Sequence, residues 1–420
     1  MDDKAQSRWY RRLTPGRLLV LVAILLVAAY TAYFWLDTKF GSPQRRAIFG
    51  IEWLGGKVHL EFANGQVGEW GDPASVSFDE DHNFTDAELA ELGEYLRRLP
   101  TVHTICIHSS TLTDDELRHF QDLPELSGLS LRGGKVGGRG LSYLRKSTNL
   151  KYLGLFDMPI TDEAFEHIAQ FRNLETLESG GTQIHGEGSA RLAACKSLQS
   201  ITLSNSPLSL ARLATCTSLR KIDLSNTPVS DGQLREIGGI STLTTVKLYD
   251  THVGDAGVAY LGRLPNLDWL ELGKTLVTDQ GLRQLSSCQA LRWLHLDHTK
   301  INGTGFRNLK NLKKLEVLDL TNTEINDAGA DAISGIVSII DLYLNDTQIG
   351  DAGVESLTKL RRLRTLCIGN TKATDKGVEA LIKMSALAYL ESLGSKITDE
   401  GYHRVQQSHS RIWINRHIRQ

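Results

Sequence analysis

The chain has 420 residues, a formal net charge of −2, 41% hydrophobic residues and five cysteines. So near-neutral a balance gives no global attraction to nucleic acid or to anionic surfaces. Cys106, Cys195, Cys216, Cys288 and Cys367 lack any C-x-x-C metal spacing and are too scattered for a disulfide framework, although a Cys195–Cys216 bridge between neighbouring turns stays open.

In chain order, residues 18–36 are nineteen residues without a charge, LLVLVAILLVAAYTAYFWL. At about 1.5 Å per residue they just cross a hydrocarbon core of about 30 Å. Lys4, Arg8, Arg11, Arg12 and Arg17 precede the stretch, which puts the N-terminal side in the cytoplasm. Tyr30, Tyr33, Phe34 and Trp35 crowd the far end, where aromatic rings favour the interface. The run continues through Phe34-Trp35-Leu36, where small residues would be needed for signal cleavage. The expectation is an uncleaved signal anchor, with residues 1–17 cytoplasmic and the rest of the chain extracytoplasmic.

Residues 37–49 read as a tether and residues 50–100 as an N-terminal cap with a degenerate first repeat. Within them, Ile51 to Phe62 predicts a helix end, a Gly55-Gly56 turn and an alternating strand. Val76-Ser77-Phe78 predicts a second strand, and Thr85-Asp86-Ala87-Glu88-Leu89 opens a helix.

From Val102 onward the phrase L-x-x-L-x-L-x-x-T-x-I-x-D-x-G recurs, opening at Val102, Leu126, Leu150, Leu174, Leu198, Leu219, Leu243, Leu267, Leu291, Leu315, Ile339, Leu363 and Leu387. Every step is 24 residues except Leu198 to Leu219, which is 21. In the unit opening at Leu243, Val246 and Leu248 alternate with Lys247 and Tyr249, which predicts a short strand. Asp255 then precedes a helically spaced apolar run and reads as the N-cap of that helix; Asp231, Asp279, Asp327, Asp351, Asp375 and Asp399 hold the same place. Thr227, Thr251, Thr275, Thr299, Thr323, Thr347 and Thr371, with Ser206 and Ser395, recur at the ninth position, where a hydroxyl can bond backbone left unpaired by the bend. Arg411-Ile412-Trp413-Ile414 falls one period after Leu387, so residues 411–420 read as a closing strand and tail behind repeats at 101–410.

This wording resembles the leucine-rich repeat proteins, in particular ribonuclease-inhibitor-like and cysteine-containing-like repeats of the T-D-x-G-L type. Many membrane-anchored bacterial envelope proteins, planctomycete ones especially, are similar. The resemblance implies an α/β solenoid, a right-handed horseshoe with a parallel sheet inside and helices outside, preceded here by one transmembrane helix. It departs at the ninth position, where many such repeats carry Asn or Cys and this one carries Thr. Scaffold residues do not name a ligand.

The third, fifth and seventh residues of each unit face the inside of such a solenoid. Early units are bland there, with Gly128, Ser130 and Arg132, or Ser200, Thr202 and Ser204. From Leu243 the character changes to Lys247, Tyr249, Trp269, Glu271, Trp293, His295, Asp297, Asp319, Asp341 and Tyr343. Trp269 and Trp293 should form an aromatic ladder open to solvent, the residue type most enriched at binding hot spots. Glu271, His295 and Asp319 form a ladder that could hold a metal ion or exchange protons. No phosphate loop, zinc helix or nucleophile elbow occurs. The reading is a binding protein rather than an enzyme, with no cofactor or metal, no nucleic-acid partner, and a protein or polymer ligand on the concave face. An architectural envelope protein without a specific ligand is the alternative, and an enzyme or metal site around His295 the third.

Overall fold

In a computed structural model of the chain, the described residues are 42–61, 72–79, 81–205, 213–408 and 412–415. The expected anchor at 18–36, with residues 1–17 and 37–41, lies outside them, as does Ser206. Among the described residues no helix is long and apolar enough to cross a membrane.

The expected tether is corrected over its second half, because residues 43–49 belong to the helix Pro43–Trp53. Ser42 accepts a hydrogen bond from the Arg45 N–H, and Pro43 sits at the first helical position, where its missing N–H costs nothing. Ala47 and Ile51 are buried beneath it. The polar composition of this stretch disguised a one-sided helix. Behind it Gly55 turns at φ +87°, and Lys57–Glu61 pairs antiparallel with Asp72–Phe78. Thr85 and Glu88 form the reciprocal capping box of the helix Asp86–Arg97.

From Asp72–Phe78 onward each strand lies parallel to the next, so that sheet order equals chain order across 16 strands of the described residues. Trp413–Asn415 closes the sheet alongside Tyr389–Glu391, as expected. Between the first and last strands of the sheet, one face of each strand is buried against the helices. Val246 and Leu248 have no exposed surface, whereas Thr245 and Lys247 are partly exposed. One continuous core of such side chains runs from Ala47 to Ile412. Each fully buried leucine in it contributes about 1.5–3 kcal/mol relative to an exposed one.

In every unit after the first, the eighth residue adopts positive φ and turns the chain out of the strand. Asn226, Asp250, Lys274, His298, Asn322, Asp346 and Asn370 lie between +53° and +58°. Asn and Asp tolerate this left-handed geometry better than most residues. At the ninth position the Thr227, Thr251, Thr275, Thr299, Thr323, Thr347 and Thr371 hydroxyls each donate to the carbonyl three residues back, at 2.5–2.8 Å. Their expected structural role therefore holds.

The aspartates act differently from expectation. Each starts its own helix, yet from Asp231 to Asp375 the carboxylate accepts from N–H groups at the start of the following one. Asp279 accepts from Asn302, Gly303 and Gly305 at 2.8, 3.0 and 2.7 Å. Asp255 accepts from Thr278 and Gly281, Asp327 from Gly350 and Gly353, and Asp351 from Thr374 and Gly377. A carboxylate there meets the positive end of the neighbouring helix and ties two repeats together. The glycine of D-x-G follows from this: a Cβ on Gly281 would stand 2.6 Å from the Asp255 Oδ1.

The five cysteines are free thiols, and Cys195 and Cys216 form no bridge. Burial pushes the Cys195 and Cys288 thiols up to about 11.

Candidate functional site

Trp269–Glu271 and Trp293–His295 are adjacent strands in register, so Trp269 stands beside Trp293 and Glu271 beside His295. The two indoles are 4.7 Å apart with planes at 13°. Coplanar rings that close would collide, so the indoles overlap face to face. Trp269 also overlies the His295 imidazole at 5.4 Å and 18°. Its other side carries the Lys247 ammonium, 5.6 Å from the ring centre. Both indoles are partly buried rather than fully open to solvent. The expected ladder exists, but its flat faces are largely spent on each other, which corrects the picture of an open platform. It is a rigid ridge.

Glu271 is held within that ridge. Its Oε1 accepts from the Trp269 indole N–H at 2.8 Å and faces the Lys247 ammonium at 3.2 Å. The carboxylate grouped with His295 is therefore Asp297, together with Asp319, and not Glu271. These three residues bring one ligand atom each within 4.8 Å of one another. An imidazole with two carboxylates is a donor set suited to a divalent transition ion. The His295 Nδ1 lies 3.8 Å from Asp319 Oδ2, and the His295 Nε2 is buried with no hydrogen-bond partner. Burial pushes the Asp319 carboxyl up, but the nearby His295 imidazole and the hydrogen bond from the Thr321 N–H at 2.9 Å outweigh it and leave the carboxyl below its ordinary value.

Asp341 and Tyr343 continue the face, with Tyr343 beside Asp319 and Asp341 beside Val317. Burial pushes the Tyr343 hydroxyl up, and the Asp341 charge adds to it. Tyr249 and Asp297 approach each other across Gly273, where a Cβ would come within 2.5 Å of Asp297 Oδ1 and 2.9 Å of the Tyr249 ring. All ten expected residues thus lie on the same open face.

Two further groups were not anticipated. Lys274 and His298 occupy the left-handed eighth position beside the ridge, where Lys274 pairs with Asp250 at 2.9 Å and His298 with Asp297 at 3.0 Å. The recurrence of Asn, Asp and Gly in that column was the available signal, and among its positive-φ residues lysine is the one departure from Asn, Asp, His and Gly. The early units are also less bland than expected. Tyr152 donates to Glu178 at 2.7 Å, and Arg132 lies 5.3 Å over the Phe156 ring.

A parallel sheet whose order follows the chain, with helices behind one face, defines a leucine-rich repeat solenoid. Residues 291–349 match the family model "Leucine rich repeat". The fold is similar to that of an internalin from Listeria monocytogenes, at 20% identity and a TM-score of 0.58, over 73% of this chain and 88% of that one. It is also similar to a leucine-rich repeat protein of Leptospira interrogans, at 17% identity and a TM-score of 0.53, over 77% of this chain and 91% of that one. No curated protein matches the sequence.

Proposed function

We propose that this chain is a single-pass, membrane-anchored protein whose extracytoplasmic repeats capture a protein partner on the concave face of the sheet. Leucine-rich repeat proteins typically mediate protein binding. The anchor reading rests on the uncharged residues 18–36 and the basic residues before them. The T-D-x-G-L wording supports reading the repeats as ribonuclease-inhibitor-like or cysteine-containing-like.

The observation that carries the binding site is the indole ridge of Trp269 and Trp293 beside the carboxylates Asp297 and Asp319, all partly exposed on one face. Rigid, partly exposed aromatics flanked by polar groups are the composition of interface hot spots. The test is capture of a stoichiometric partner from solubilised envelope membranes by the full chain and by the variant Trp269→Ala/Trp293→Ala. Loss of capture with an unchanged circular dichroism spectrum is expected. Equal capture by both chains would remove the site. No stoichiometric partner for either would favour the architectural alternative.

A further inference from the structure

The charge on the open face is unevenly distributed. From Trp293 to the last strand, the third, fifth and seventh positions carry Asp297, Asp319, Asp341 and Glu391, and not one lysine or arginine. The chain as a whole is nearly balanced, with 47 basic and 49 acidic residues, so this asymmetry is local. Just before it, Lys247 is paired with Glu271, and at the rim Arg292 is paired with Glu316 at 2.8 Å. Asp297 faces the His298 imidazole at 3.0 Å and Asp319 the His295 imidazole at 3.8 Å, whereas among the described residues Asp341 and Glu391 have no ion-pair partner. The crowding of negative charge is felt by its neighbours. Burial raises the Tyr343 and Cys367 groups, and the charges of Asp341 and Glu391 respectively raise them further.

Like charges gathered on partly buried positions cost free energy unless a partner of opposite sign arrives. Interspersed with them are Trp293, Tyr343 and Tyr389, all partly exposed. Such rings suit the aliphatic stems of long basic side chains while the carboxylates take their charged ends.

Resting on the concave-face reading above, we propose that the strip from Trp293 to Glu391 recognises an extended, arginine- or lysine-rich segment of the partner protein, its cations paired with Asp297, Asp319, Asp341 and Glu391. The strip crosses four strand spacings, about 19 Å, which an extended segment spans in about six residues. Charge complementarity of this kind sets partner choice and association rate more than raw affinity.

The test titrates the full chain in detergent with three synthetic peptides of about ten residues, which leaves room beyond the six the strip spans. One alternates Arg and Ser, one Glu and Ser, and one is Gly and Ser only; protein indole fluorescence reports binding. The Arg peptide alone is expected to bind, and to weaken as salt is added. In the isosteric variant Asp297→Asn/Asp319→Asn/Asp341→Asn its affinity should fall about tenfold, the sum of three exposed pairs. Equal binding of the Glu or Gly-Ser peptide, no binding of the Arg peptide, or an unchanged constant in the triple variant would each overturn the proposal. The two readings also fail separately. If Trp269→Ala/Trp293→Ala abolishes partner capture while the triple amide variant captures normally, the face is the site and the basic segment is wrong. If neither variant affects capture, both are wrong.

Discussion

Replacing Asp351 tests the inter-repeat link directly. Its Oδ1 accepts from the backbone N–H groups of Thr374 and Gly377 at 2.7 and 3.1 Å, while its Oδ2 accepts from the Thr374 hydroxyl at 2.8 Å. In Asp351→Ala both amides at the start of the helix Asp375–Leu381 lose a charged acceptor. A hydrogen bond to a charged group is worth about 1.5–3 kcal/mol, and water recovers part of it at this partly exposed site. A lost cap typically costs about 0.5–2 kcal/mol. A net cost of about 2 kcal/mol follows from these two ranges taken together. Asp351→Asn keeps a carbonyl oxygen where Oδ1 stands, so both backbone bonds survive; the charge is lost and the Thr374 hydroxyl must accept from the new amide instead of donating, at about 1 kcal/mol. Because repeat arrays lose local cooperativity before they unfold as a whole, the assay is hydrogen exchange resolved along the chain. Exchange should rise about thirtyfold across residues 374–381 in Asp351→Ala, and far less in Asp351→Asn. A rise confined to Asp351–Leu357, its own helix, would show that the aspartate caps where the sequence alone places it. Equal effects of Ala and Asn would refute the hydrogen-bond geometry.

Two further outcomes follow from the ionisable groups. The Asp319 carboxyl is held low, with burial opposing and the nearby His295 imidazole and the Thr321 hydrogen bond prevailing, so the unfolded chain binds its proton more readily. Its contribution is therefore present above the ordinary value of 3.8 and lost as pH falls through the depressed one. Acid unfolding of Asp319→Asn should lack that component, and a midpoint pH identical to the parent's would contradict it. The buried Cys195 and Cys288 thiols, pushed up to about 11, should resist a thiol-specific reagent at pH 8 in the native chain and react on denaturation. Fast native labelling of either would show that the repeat core opens there.

The fold was legible because the period repeats its own evidence. Val246 and Leu248 alternating with Lys247 name a strand, and Asp255 before an apolar run names a helix, once per unit. What the period could not reveal was which helix an aspartate serves, since equivalent positions in consecutive units are indistinguishable along the chain. Only stacking shows that Asp279 reaches Asn302. The helix Pro43–Trp53 was hidden for the opposite reason, a single copy with a charged exterior. The candidate face was legible as a set, because residues at third and fifth positions must share it. The pairings within it were not. Glu271 turns to Trp269 and Lys247 rather than to His295, because the indole N–H and the ammonium both lie within reach of its Oε1.

The central claim is that the partner is held on the open face of the sheet. It is tested most directly by placing a photo-crosslinking amino acid at position 343 on that face and, separately, at position 376 on the helix Asp375–Leu381, in the full chain expressed in cells. Position 343 should yield one discrete crosslinked protein on illumination, lost in Trp269→Ala/Trp293→Ala, and position 376 none. A partner crosslinked from position 376 and not from 343 would place binding on the helical side and contradict the account.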